Sequence, residues 1–201
     1  MTRLPLLSSD SLNMAQRKIY DAVTQGPRRQ NARPGASFDL DTPAGLPGPF
    51  NALLYSPHIG NLVQELGAGL RYSNSLPNNL LEIAVIMVGK YWQSQFEFWA
   101  HARLAAAAGV SRDVIEAIRT GNDPHFDKPE EQQIYVFAKE FLATKRVSDK
   151  TYADTREFIG EQGLADLVML MGYYCLVCLI LNGFQVPLPE GQINPFPEPP
   201  V

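Results

Sequence analysis

The stretch Gln95-Phe96-Glu97-Phe98-Trp99-Ala100-His101-Ala102-Arg103-Leu104-Ala105 decides the fold expected for this chain. The spacing Ser94-x-x-Glu97 is that of a capping box, so it predicts a helix that begins at Ser94 and ends where Gly109 follows Ala108. On such a helix Glu97 and His101 are neighbours on one face. A carboxylate and an imidazole one turn apart in apolar sequence indicate a site for proton transfer or metal binding.

A second carboxylate precedes this helix. Glu82 lies in the apolar run Leu80-Leu-Glu-Ile-Ala-Val-Ile-Met-Val88, which predicts a helix from Pro77 to about Trp92. Glu82 comes from the second turn of that helix. Glu82, Glu97 and His101 therefore predict one polar cluster in an apolar setting.

These residues also carry a family resemblance. Leu81-Glu82-Ile83-Ala84, the stretch quoted above, and Ala108-Gly109-Val110-Ser111 resemble a carboxymuconolactone decarboxylase-like domain over roughly residues 45 to 185. The superfamily also holds the AhpD-type alkylhydroperoxide reductases. Its redox branch has the motif Glu, then Cys-x-x-Cys, then His, and the matching positions here are Glu82, Ser94, Glu97 and His101. Both thiols are absent, while the acid and the imidazole remain.

The resemblance implies an all-α, AhpD-like fold assembled as a homotrimer or homohexamer, and a cofactor-free lyase or isomerase that acts on a small carboxylated lactone or related ring-cleavage product. His101 would be the proton donor, Glu97 would hold its tautomer or relay the proton, and Glu82 would complete the relay. The remaining candidates are substrate-binding side chains: apolar walls at Trp99, Phe96 and Phe98, a carboxylate ligand at Arg103 or Arg71, and a phenol at Tyr173.

Each of these residues has a structural alternative. Glu97 at the third helical position can simply complete the helix cap. His101 can be an interior histidine with satisfied hydrogen bonds. Glu82 can form a salt bridge with Arg71, Lys90 or Arg103.

Three other functions stay open. Cys175 and Cys178 form a Cys-x-x-Cys that predicts a thiol peroxidase, although their apolar neighbours would raise thiol pKa values. Glu82, Glu97 and His101 also have the donors for a metal-dependent lyase or hydrolase. His58 and His125 add no ligand spacing, so we expect no metal. The third alternative is a non-enzymatic oligomeric binding protein.

Composition limits the class of protein. A chain of 201 residues predicts one domain, or one domain with arms, with a sizeable core. Two cysteines and a short apolar N-terminal run argue for a cytoplasmic protein without a signal peptide. The net charge is -4, and the most evident basic cluster is Arg28, Arg29 and Arg33, so we expect no nucleic-acid partner.

One uncharged run, from Leu167 to Phe184, is long enough to raise the possibility of a membrane span. Gly172, Tyr173, Tyr174 and Asn182 interrupt it, and no Lys or Arg cluster flanks it. We therefore expect no membrane partner, because a helix apolar on all sides is typical of a protein core or a subunit interface.

The chain divides into four predicted segments. They are an N-terminal helix in 1–26 that begins at Ser8, Ser9 or Asp10, a Pro/Gly-rich loop or arm in 27–49, a helical domain in 50–185 and a Pro-rich tail in 186–201. Within the domain the patterns predict helices near 57–72, 77–92, 94–108, 111–119, 129–144, 148–162 and 164–183. The tail carries six of the sixteen prolines and too few apolar residues to pack.

Overall fold

The computed structural model of the protein describes residues 2–30, 40, 42 and 45–198. These residues form helices and contain no strand, so the all-α prediction is confirmed. A 3₁₀ turn at Ser9–Ser11 precedes the α-helices, which are α1 Met14–Thr24, α2 Pro27–Gln30, α3 Phe50–Leu54, α4 Pro57–Tyr72, α5 Asn78–Tyr91, α6 Gln95–Ala107, α7 Arg112–Thr120, α8 Pro129–Thr144 and α9 Asp149–Gly183.

Helix α5 is the centre of the fold. Every residue from Leu80 to Gly89 is buried, because α6, α7, α8 and α9 all pack against it. A helix that is apolar all round is stable only in such a position. The single charged residue in this run is Glu82, so the central helix carries a carboxylate into the core.

A second, smaller core lies at the N-terminal side. Helix α1 packs on α3 and α4, and the buried apolar residues of this cluster are Ile19, Tyr20, Val23, Leu46, Leu53 and Leu54. Val63 of α4 packs against both cores and joins them.

The N-terminal elements differ from the prediction. Helix α1 begins at Met14, because the side chain of Asn13 and that of Gln16 form a capping box there. In the predicted 27–49 loop, Pro27–Gln30 is helical and the Arg28 side chain is buried. Much of the rest of that segment lies outside the described residues. The four-segment division stays a prediction.

Helix α4 has the predicted bounds, but three of its large apolar residues face outward. Ile59, Leu62 and Leu66 are exposed, whereas Gly60, Gln64, Gly67 and Leu70 are buried. The reason is close helix packing: a Cβ at Gly60 would overlap the Leu53 carbonyl oxygen, and one at Gly67 would overlap the Tyr173 hydroxyl. The glycines therefore lie on the inner face of this helix, and Ile59, Leu62 and Leu66 stay exposed to solvent.

The last two predicted helices, 148–162 and 164–183, form one long element. Helix α9 runs from Asp149 to Gly183 with a non-helical residue inside it, Gly160, at φ 69°. Glycine adopts this left-handed conformation without a Cβ penalty. The predicted break is therefore present, but it is a kink at Gly160 and not a loop.

The tail packs, contrary to the prediction. Phe196 is buried in the main core, and its ring lies 5.0 Å from that of Phe98. Gln95 binds the backbone of Phe196 twice, donating to its carbonyl and accepting from its N–H. One buried aromatic residue with two backbone hydrogen bonds is enough to attach this segment to the start of α6.

The described residues contain one helix, α9, that is long and apolar enough to cross a membrane, and half of its most apolar window is buried inside the chain. Core helices of soluble proteins pass the same test. The cytoplasmic location and the absence of a membrane partner stay predictions.

The glycines of α4 give a paired test of helix packing. Gly69→Ala should raise the free energy of unfolding by about 0.5–1 kcal/mol, because alanine is the better helix former and nothing lies within 4 Å of its Cβ. Gly60→Ala should lower it by about 1–3 kcal/mol, because the new Cβ displaces backbone. Chemical denaturation measures both variants. Equal effects would contradict the close packing at Gly60.

Candidate active site

The three predicted residues of the polar cluster come together in the structure. Glu82 projects from α5, and Glu97 and His101 project from successive turns of α6. All three are buried, with 1%, 3% and 4% of their surface exposed. Helix α4 adds Arg71, and α9 adds Tyr174, so the cluster lies where four helices meet.

His101 lies between the two carboxylates. Its Nδ1 is 2.5 Å from Glu82 Oε2, a hydrogen bond within the buried core. Its Nε2 is 3.0 Å from Glu97 Oε1, an ion-pair distance, and 3.5 Å from Arg71 Nη1. Glu82 therefore fixes the orientation of the ring, while the Nε2 side faces a carboxylate and a guanidinium.

Glu97 does not cap its own helix. Ser94 is the N-cap residue of α6, but its side chain makes no capping hydrogen bond, so the predicted capping box is wrong. The Glu97 carboxylate is directed along the helix toward His101, one turn later, because an imidazolium is a stronger partner than a backbone amide. The structure thus removes the capping alternative for this residue.

The cluster favours a charged imidazole. Burial alone would lower the pKa of His101, but Glu82 and Glu97 outweigh it and raise that pKa from 6.5 to about 9. Arg71 is half-buried. Desolvation would lower its pKa, but Tyr174, Glu82 and Glu97 outweigh this effect and raise it. At neutral pH the site therefore holds an imidazolium and a guanidinium against two carboxylates.

Two tyrosines of α9 lie beside this cluster. The Tyr174 ring packs edge-on to His101 at 4.9 Å, and the Tyr173 ring follows at 5.3 Å from Tyr174. Burial raises the pKa of both phenols, so both are neutral. Tyr173 is the predicted site residue of this pair, but the Tyr174 ring is the one that contacts the imidazole. Only its place next to Tyr173 in an apolar helix could have indicated it.

The other predicted substrate-binding residues lie further from the imidazole. Arg103 is exposed and stacks over the Trp99 ring, so of the two predicted arginines the structure brings only Arg71 to His101. Trp99 donates its indole N–H to Gln192 of the tail. Phe98 packs against Phe196, and Phe96 packs against Trp99.

Two cavities of about 400 Å³ are lined by described residues, and the polar cluster borders neither of these two. The first lies between the N-terminal segment, α3 and the tail, with Phe96 in its wall. The second lies between α5, α8 and α9, with Cys175 in its wall. Of the predicted apolar wall, only Phe96 borders either cavity.

The cysteines are not arranged as a reactive pair. Cys178 is buried, and burial, followed by the negative charge of Glu97, raises its pKa. Cys175 is partly exposed in the middle of α9, far from a helix N-terminus. Reactive thiols need a neighbouring cation or helix N-terminus to form the thiolate.

The cluster is also a poor match to a metal site. Each ring nitrogen of His101 faces a carboxylate, so neither nitrogen is directed at an open position where a metal ion could bind. Among the described residues, no group of three His, Cys, Asp or Glu is placed to hold a metal ion. That the protein binds no metal stays a prediction.

Comparison with known proteins gives the fold. No protein-family model matches the chain, and no curated protein matches it in sequence. The solved structures that it resembles include the debrominase Bmp8 in complex with 2,3,4-tribromopyrrole, with a TM-score of 0.69, 11% identity, and coverage of 94% of this chain and 92% of that one. The apo structure of Bmp8 has a TM-score of 0.68 and 11% identity, with coverage of 92% of this chain and 91% of that one. The AhpD-like helical fold is thereby confirmed, and membership of the decarboxylase-like family stays a prediction.

The raised pKa of His101 gives a pH test. The folded pKa of about 9 lies above the unfolded value of 6.5, so the contribution of the imidazolium to stability is complete below pH 6.5 and is lost as pH rises through 9. Glu82→Gln removes one carboxylate and should move this loss to lower pH. Nitrogen-detected NMR of the ring, with denaturation from pH 6 to 10, measures both.

The chain contains three histidines, so the assignment is simple, and His125→Asn is the matched control because that side chain is 94% exposed. A neutral His101 ring at pH 7.5 would contradict the assignment of charges.

Proposed function

We propose that the protein is a cofactor-free acid–base lyase of the carboxymuconolactone decarboxylase type, acting on a small carboxylated lactone or related ring-cleavage product. The observation that supports this most directly is the buried His101, paired to Glu82 and Glu97 and adjacent to Arg71. Paired titratable groups with shifted pKa values in an apolar setting are typical of catalytic sites.

The reaction needs a proton donor and a cation. The bond from a ring carbon to its carboxylate breaks, the electron pair moves into the neighbouring lactone carbonyl to form an enolate, and carbon dioxide leaves. The enolate carbon then accepts a proton, which restores the carbonyl. A positive charge near the carbonyl oxygen stabilises the enolate.

Each residue has a role that follows from its contacts. His101 is the source of the proton, since it is charged at neutral pH. Glu82 holds Nδ1 and fixes the orientation of the ring, and Glu97 at Nε2 relays the proton toward the substrate. Arg71 stabilises the enolate oxygen. The proton returns from solvent through the same relay.

The comparisons support an enzyme on this fold. Bmp8 is a debrominase whose crystal structure contains 2,3,4-tribromopyrrole, so a similar helical fold holds a small cyclic ligand. Of the alternatives, the thiol peroxidase is disfavoured by the buried Cys178, and the metal enzyme by the paired ring nitrogens. The binding protein stays the main rival.

We also propose that the protein is a homotrimer or homohexamer. Two stripes of exposed apolar residues support this, one on α4 formed by Ile59, Leu62 and Leu66, and one on α9 formed by Val168, Met169, Leu176 and Leu179. Monomeric proteins seldom leave such rows uncovered.

The test of function is turnover. The wild-type protein should consume carboxymuconolactone and a panel of related lactones. The ultraviolet band of the substrate should disappear, and mass spectrometry should show a product that is lighter by one carbon dioxide. His101→Asn should lower kcat by about 100-fold or more, since general acids contribute that much. His125→Asn and the double variant Cys175→Ser/Cys178→Ala should keep the activity.

The controls separate the rivals. Loss of turnover in the cysteine variant, with His101→Asn active, would replace the lyase with thiol chemistry. Folded wild-type protein that turns over none of the lactones would overturn decarboxylation of this substrate class.

The oligomer has its own test. Native mass spectrometry at micromolar concentration should give a trimer or hexamer for the wild type. Leu62→Glu should shift it toward the monomer, because it places a charge in the apolar α4 stripe. Glu65→Gln, which changes an exposed residue on the same helix, should leave the assembly unchanged. A monomeric wild type would contradict the proposal.

A further inference from the structure

The proposed reaction does not use the cavity that lies between the C-terminal ends of α5 and α8 and the middle of α9. Its volume is about 410 Å³, within the range of about 300–1,000 Å³ that is usual for small-molecule sites. Most of its wall is apolar and comes from Trp92, Phe141, Leu142, Val168 and Met171. An apolar cavity of this size can hold a compact ring.

The indole of Trp92 brings a buried donor to this wall. Its Nε1 atom has no hydrogen-bond partner within the described part of the chain. The other tryptophan, Trp99, donates its N–H to Gln192 at 3.0 Å. A buried donor without an acceptor destabilises a folded protein, and such atoms are rare in native structures. A ligand with an acceptor oxygen would satisfy the Trp92 N–H.

Gly172 leaves room in the same wall. It lies inside α9, where glycine is a poorer helix former than alanine. At Gly60 and Gly67 a Cβ would overlap a neighbouring group, but no described residue lies within 4 Å of a Cβ at Gly172. Close helix packing therefore does not explain this glycine. A ligand in the cavity would explain it, because the ligand would occupy the space beside the bare backbone.

The other polar groups of the wall favour a neutral ligand. The Lys145 ammonium is exposed and donates to the Leu142 carbonyl oxygen and the Tyr91 hydroxyl. It also lies 4.2 Å from the centre of the Tyr91 ring, so it stays at the rim. Cys175 adds a thiol, which is a weak hydrogen-bonding group. An ionised ligand would lose its hydration against this wall, where no described residue is a buried charge.

The cavity and the polar cluster lie on different faces of α9. Tyr174 packs against His101. The residues of α9 that line the cavity have the spacing i, i+3, i+4 and i+7, which places them together on another face. They are Val168, Met171, Gly172 and Cys175. A ligand in the cavity therefore leaves the acid–base cluster free.

We infer that this cavity is a second binding site, for a neutral compact ring that carries one carbonyl oxygen. The ring lies against the apolar wall beside Gly172, and its oxygen accepts the Trp92 N–H. The inference goes beyond the proposed function, because the site uses none of the acid–base residues and takes an uncharged ligand. The mouth of the cavity opens beside Val168, which is exposed.

The test compares acetophenone with ethylbenzene, which has the same carbon skeleton without the oxygen. Nitrogen–proton NMR of the full-length protein follows both titrations, because the chain has only two tryptophans to assign. Acetophenone should bind at least five-fold more tightly than ethylbenzene, and it should shift the indole signal of Trp92 but not that of Trp99. Trp92→Phe assigns the signal and should remove the difference in affinity.

A second variant tests the place of the ligand. Gly172→Leu should fill the cavity and weaken the binding of both compounds by at least ten-fold. Gly183→Leu is the matched control, because it makes the same change on the same helix where again no described residue lies within 4 Å of a Cβ. It should bind as the wild type does. Thermal unfolding measures whether both variants are folded, and Trp92→Phe decides the question if Gly172→Leu is not.

Cys175 gives an independent readout. It is partly exposed in the cavity wall, whereas Cys178 is buried. Saturating acetophenone should slow the alkylation of Cys175 by iodoacetamide by at least five-fold, as measured by mass spectrometry. The inference would be overturned by a wild type that binds no acetophenone, by equal affinity for the two compounds, or by unchanged binding in folded Gly172→Leu.

Discussion

The arrangement of the core depends on two carboxylates that are buried side by side. Glu82 and Glu97 come from adjacent helices, and neither can stay ionised in an apolar core without a cation between them. His101 supplies that cation, held at 2.5 Å and 3.0 Å from the two oxygens. The packing of α5 against α6 therefore brings a charge network into the centre of the fold, where desolvation is greatest. Such a network stabilises the fold only while the imidazole keeps its proton.

The sequence predicted the parts of the structure that depend on local rules. The helix bounds at Pro57–Tyr72 and Pro129–Thr144 follow from prolines at helix starts and from apolar periodicity, and the structure confirms them. The cluster of Glu82, Glu97 and His101 could be predicted because two of its members are one turn apart and the third lies on the preceding helix. The sequence was therefore sufficient to predict that these three residues lie close together. Which atoms pair could not be derived, because it depends on how α5 and α6 pack.

The parts that the sequence could not predict depend on long-range contacts. Periodicity predicted helix α4, but not that Ile59, Leu62 and Leu66 stay exposed while two glycines allow close approach on the inner side. Phe196 looked too isolated to pack, but Gln95 and Phe98 provide its place. Arg28 was part of a basic, proline-rich segment, and nothing local indicated that its guanidinium is buried against Gln64 and Tyr173.

Within two turns, helix α9 has some residues that face the core and others that face outward. Tyr173 and Tyr174 face the charged network, while Leu176 and Leu179 face outward. Because the helix is a stiff rod there, a force that moves its outer side moves the phenols as well. Binding of a protein surface to those leucines would therefore change the affinity for a ligand at the tyrosines. The ligand would change the affinity for that surface by the same factor. The apparent affinity for the ligand would then depend on protein concentration, even though the two faces share no side chain.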